Sequence, residues 1–120
     1  MKKLEEEAKK FMQLHNKSMM TADEYQRKAG ETAIYPKKEA LPYLSLGLVS
    51  EAGEVAGKVK KLIRDGTESD VASEVGDVLW YCAMLASEVG VSLGKIMENN
   101  LEKLNDRKQR GKLQGSGDTR

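Results

Sequence analysis

The chain has one cysteine, Cys82, in 120 residues. That excludes an intramolecular disulfide framework and fits a reducing, cytoplasmic compartment. Aromatic residues make up only 5% of the chain: Phe11, Tyr25, Tyr35, Tyr43, Trp80 and Tyr81. No stretch sustains an alternation of β-branched residues, so strand signals are poor. No apolar run approaches the roughly 20 residues needed to cross a membrane. The opening MKKLEEEAKK passes directly into charged amphipathic sequence, without the apolar core of a signal peptide. An excess of one charge is also missing. Twenty Lys and Arg stand against 19 Asp and Glu, a net charge of +1, so no global field recruits nucleic acid.

What is present is a 32% charged, 39% hydrophobic chain of single-domain length, with room for a modest core. Its apolar residues recur at helical spacing, which predicts an all-α fold, a four- to five-helix bundle. The first helix runs from about Lys3 to about Lys17, with Leu4, Ala8, Phe11, Met12 and His15 on one face. Thr21 and Glu24 have capping-box spacing and open a second helix through about Ala29. A connector from Gly30 to Glu39 contains Tyr35-Pro36, and Pro42 suits the first turn of a third helix reaching about Arg64. After the turn DGTESD, a fourth helix spans about Asp70 to Glu88; Ser92 caps a fifth that runs to about Arg110. One domain is expected over residues 1–111. The remainder, residues 112–120, has no apolar face and is expected to be a disordered tail.

The chemistry lies on the third and fourth helices. At about 100° per residue, Leu44, Leu48, Val55, Val59 and Leu62 form one stripe, with Glu51 close to its centre line and Glu54 and Lys58 on its flank. On the fourth helix Val71, Val75, Val78, Leu79, Cys82, Leu85 and Val89 form a stripe edged by Glu74, Asp77 and Tyr81. Each helix thus carries one i, i+3 carboxylate pair beside an apolar face. A short turn joins them, so antiparallel packing brings both pairs toward one site. Four carboxylates gathered at a half-dry site repel one another and resist ionisation unless a cation neutralises them. A hard divalent ion such as Mg²⁺ takes oxygen ligands and keeps some waters, which suits this donor set. A single ExxE in a chain with 13 glutamates is usually a solvated helix face; two pairs bordering apolar stripes on consecutive helices weigh against that reading.

Other residues have plainer explanations. His15 and Cys82 fall among core residues and are expected to pack rather than react. Trp80 lies roughly opposite the fourth helix's stripe, which suggests a second buried face or a subunit interface. Gly53 and Gly57 lie away from the third helix's stripe, where another backbone has room to approach.

GLVSEAGEVAGKVKK followed by SEVGDVLWYCAMLA resembles the MazG-like nucleotide pyrophosphohydrolases, an all-α superfamily marked by ExxE, a spacer and ExxD. Here Glu51-x-x-Glu54 and Glu74-x-x-Asp77 are separated by 19 residues, followed by Asn100-x-x-Lys103-x-x-x-Arg107. The similarity spans about Asp23 to Gly111. It implies Mg²⁺-dependent cleavage of nucleoside triphosphates between the α and β phosphates, giving a monophosphate and pyrophosphate, in a housecleaning or nucleotide-pool role. Mn²⁺ is an expected substitute. The resemblance makes Glu51, Glu54, Glu74 and Asp77 the metal and catalytic residues. Asn100, Lys103 and Arg107 are then phosphate contacts, with Lys58 and Tyr81 as further substrate contacts. It also implies a homodimer or tetramer. Two alternatives stay open: a phosphoribosyl-ATP pyrophosphohydrolase within the superfamily, and a noncatalytic helical oligomer whose acidic cluster binds a structural metal or a protein.

Overall fold

Polar side chains at three helix starts set the architecture. In a computed structural model describing residues 2–15, 19–66 and 70–120, Thr21 Oγ1 accepts from Glu24 N at 3.1 Å. Asp70 Oδ1 accepts from Ser73 N at 3.0 Å and Ser92 Oγ from Lys95 N at 3.1 Å. Each satisfies an amide that has no partner within its own helix. The helices are α1 (Lys2–His15), α2 (Ala22–Gly30), α3 (Ala40–Asp65), α4 (Val71–Glu88) and α5 (Leu93–Gln109), with one 3₁₀ turn at Lys37–Glu39. The fold is all-α, with no strand among the described residues. α3 begins at Ala40, so Pro42 lies in its first turn, where the missing N–H costs nothing. The expected continuation of the first helix to Lys17 lies outside the described residues, as does most of the turn before Asp70.

α3 and α4 form the main packing pair. Buried Leu44 joins Ala83 and Met84 in the core, Gly47 meets Tyr81, and Glu51 meets Glu74 and Asp77. Residue numbers rise on α3 as they fall on α4, so the two run antiparallel, as their short connection predicts. α2 lies across α4 and α5 and holds their junction by side chains. Gln26 Oε1 accepts from Leu93 N at 2.7 Å, while its Nε2 donates to Ser87 Oγ at 3.0 Å and to Val91 O at 3.1 Å. Asp23 Oδ1 accepts from Gly94 N at 2.8 Å. The connector before α3 is tied to the end of α4 by a short hydrogen bond from Tyr35 Oη to Glu88 Oε1. Lys37 sits 3.2 Å from the same carboxylate oxygen. Those two partners hold Glu88 below the usual carboxylate range, the tyrosine bond acting most.

The core differs from the stripe that periodicity marks on α4. Its fully covered residues are Ala83, Met84 and Ala86, whereas Val75 and Leu79 are exposed and Cys82 is only half-buried. α4 is apolar on two sides, and within the chain α2 and the connector cover the side bearing Trp80. There Trp80 meets Tyr35 edge-on at 6.4 Å. Among the described residues α1 comes close to none of the other helices, and the side chain of His15 lies outside the described residues.

Candidate active site

α3 and α4 bring three carboxylates together. Glu51, Glu74 and Asp77 each offer an oxygen, and the three oxygens lie within 4.8 Å of one another. Glu51 and Glu74 are half-buried and Asp77 is exposed. Partial desolvation is the main reason that the Glu51 carboxyl is raised above its ordinary value, followed by the charges of Asp77, Glu74 and Glu54. Every charged neighbour that shifts Glu51 is itself an acid. Glu54 therefore stands outside the trio but near enough to be felt. Hard carboxylate oxygens at this spacing, on a site that resists a further negative charge, match what a divalent cation requires.

Two of the three, Glu51 and Asp77, line a cleft of about 360 Å³ together with Thr32, Trp80 and Tyr81. Its aromatic wall is fixed from behind. Trp80 Nε1 donates to Thr32 Oγ1 at 2.8 Å, and that hydroxyl donates to Ala29 O at 2.7 Å. Tyr81 meets Trp80 edge-on with centroids 5.0 Å apart. Tyr81 also lies directly on the backbone of α3. A Cβ added at Gly47 would fall 2.1 Å from Tyr81 Cε1, so only glycine admits the ring. By contrast, a Cβ at Gly53 or Gly57 meets nothing within 4 Å; the close approach expected at those two glycines occurs within this chain at Gly47. Burial, then Tyr43, Glu51 and Asp77, push the Tyr81 phenol up. Tyr25 on α2 is likewise pushed up, by burial and then by the charge of Asp77.

The chain's segment 41–111 matches the model of the MazG nucleotide pyrophosphohydrolase domain. The chain belongs to the MazG family. A protein of Mycobacterium phage L5 called Gene 37 protein, a name that states no activity, is 46% identical over 114 residues, with 84% of this chain and 100% of that protein covered. No solved structure matches.

The remaining residues that the MazG resemblance points to are placed apart from the cleft lining. Asn100 and Lys103 line a separate cavity of about 320 Å³ with Ile96 and Asn99. Lys58 is half-buried on α3 and does not line the cleft. Arg107 is buried, 4% exposed, and its Nη2 donates to Asp118 O at 2.6 Å. Asp118 Oδ1 lies 3.4 Å from both Lys103 Nζ and Arg107 Nη2. Helical periodicity does not single out Thr32, and it points to Trp80 as a packing or interface residue, not a cleft residue. Thr32 sits in an irregular connector, where no periodic signal assigns a side chain to a face.

Proposed function

We propose that this chain is a divalent-metal-dependent nucleoside triphosphate pyrophosphohydrolase. It would convert a (deoxy)nucleoside triphosphate and water to the monophosphate and pyrophosphate. The observation that carries the reading is the convergence of Glu51, Glu74 and Asp77 within 4.8 Å, in a chain of the MazG family. These three would hold Mg²⁺, with Mn²⁺ as a substitute. The chemistry such a cation supplies when bound is neutralisation of triphosphate charge and polarisation of phosphoryl oxygens.

The protein's own groups would do the rest. Glu54, outside the trio, accepts a proton from the attacking water. The water oxygen bonds to the α-phosphorus as the bond to the bridging oxygen breaks, and pyrophosphate leaves with that oxygen. The resemblance assigns the departing phosphates to Lys103 and Arg107, with Asn100, and a further cationic contact to Lys58, although none of the four lines the cleft within this chain. Tyr81 and Trp80 form a rigid wall for the nucleoside end. A homo-oligomer is expected, with a role in controlling or cleaning the nucleotide pool. Incubation with Mg²⁺ and a panel of NTPs and dNTPs tests this. Monophosphate and pyrophosphate are expected in equal amounts from at least one substrate. Diphosphate with orthophosphate, or no product from any nucleotide, would contradict it.

A further inference from the structure

The C-terminal segment reaches the same cations that the proposed function assigns to substrate phosphates. We infer that residues 112–120 act as an internal anion, with Asp118 occupying the Lys103–Arg107 phosphate subsite until a polyphosphate displaces it. The inference rests on that functional reading.

The segment is built to fold back. Lys112 N donates to Arg107 O at 2.7 Å, closing α5 on the positive-φ Gly111 (φ 68) in the manner of a glycine helix cap. Gly115 and Gly117 also adopt positive φ, at 119° and 84°, and reverse the chain over α5. Arg120 then fastens the loop, donating to Gly117 O at 2.6 Å and Leu113 O at 3.2 Å. Arg110 Nη2 donates to Arg120 O at 2.8 Å. The result sets one carboxylate on two cations of α5.

The fit is that of a stand-in. The Asp118 carboxylate reaches Lys103 and Arg107 through a single oxygen, Oδ1, at 3.4 Å, and the shorter contact to Arg107 Nη2 is made by the uncharged Asp118 backbone O at 2.6 Å, whereas guanidinium groups favour a two-pronged anion. Arg107 Nε is buried with no hydrogen-bond partner among the described residues. A phosphoryl group, with three terminal oxygens, offers that nitrogen the acceptor that Asp118 leaves out. The Asp118 side chain is itself 86% exposed, so its ion pairs are weakened by solvent and yield to a more highly charged competitor. Lys103 and then Arg107 hold the Asp118 carboxyl below its ordinary value, so it is an anion across the neutral range.

Inorganic tripolyphosphate, used without divalent metal, is the direct probe. Binding is measured by calorimetry for the full chain, for a chain ending at Gly111 and for Asp118→Asn. Both variants should bind roughly two- to fivefold more tightly, the scale of one or two exposed ion pairs. Adding Lys103→Gln to the Asp118→Asn chain should remove the gain. Amide exchange in residues 112–120 of the full chain should accelerate when tripolyphosphate is added. Unchanged or weaker binding by both variants, or exchange in the tail indifferent to tripolyphosphate, would overturn the inference. Nucleotide turnover separates the two claims. Hydrolysis with the same KM in full chain and Asp118→Asn sinks the tail's role alone, and no pyrophosphate from either sinks the proposed function.

Discussion

Glu51 shows how one residue records the site around it. Its carboxyl is raised by burial and by three acidic neighbours, so the folded state holds its proton more tightly than the unfolded state does. Such a group leaves stability intact at low pH and takes stability away as pH climbs from the unfolded pKa through the folded one. Metal-free Glu51→Gln is therefore expected to be more stable than the parent at pH 7, with the difference vanishing below the ordinary carboxylate range. Denaturant midpoints at several pH values measure this; a variant less stable at pH 7 would contradict the repulsion. Gly47 is as tightly constrained by its neighbour. With Tyr81 Cε1 at 2.1 Å from an added Cβ, Gly47→Ala should cost about 1–3 kcal/mol, as overpacking does. Combining it with Tyr81→Ala should recover most of that cost in a double-mutant cycle. An additive pair would mean that the ring and the backbone do not meet.

At the scale of the element, α2 acts as a polar clamp on the α4–α5 junction. Gln26 alone serves Ser87, Val91 and Leu93. Gln26→Ala is expected to destabilise by about 1–3 kcal/mol, chiefly by leaving the partly buried Leu93 amide unsatisfied; a thermal midpoint indistinguishable from the parent would refute the clamp. The helices themselves were legible in sequence because their signals are local. Thr21 and Ser92 cap as their spacing predicts, and Pro42 falls in the first turn of its helix. The meeting of Glu51 with Glu74 and Asp77 was legible as well, since two i, i+3 pairs across a short turn leave little geometric freedom, whereas Glu54, expected in the same cluster, stands outside it. Which face of α4 the chain covers was not. Valines 71, 75 and 78 outweigh Ala83 and Ala86 in any apolar count, yet small residues allow the closer approach of neighbouring elements. The decision lay with the connector, where Tyr35 and Thr32 engage Trp80, a long-range choice with no periodicity to reveal it.

For the whole molecule, much apolar surface remains open in one chain. On α3, Leu46, Val49 and Ile63 are 73%, 71% and 79% exposed. Ala56, Val59, Ile63 and the stems of Lys60 and Arg64 line an apolar hollow of about 650 Å³. Contiguous apolar surface of this kind is normally covered by a partner, and Gly53 on α3 leaves room for one. Light scattering should therefore report a dimer or tetramer, and Ile63→Glu should lower its association; a monodisperse monomer at high concentration would contradict this. Together α3 and α4 position the acidic trio of Glu51, Glu74 and Asp77. Pyrophosphate release from the preferred nucleoside triphosphate, compared between the parent and Glu74→Gln at saturating Mg²⁺, tests that trio's role most directly. A fall of at least about a hundredfold, the scale of losing a group that positions charge in the transition state, is expected with helical content unchanged. Full activity in a folded Glu74→Gln protein would contradict it.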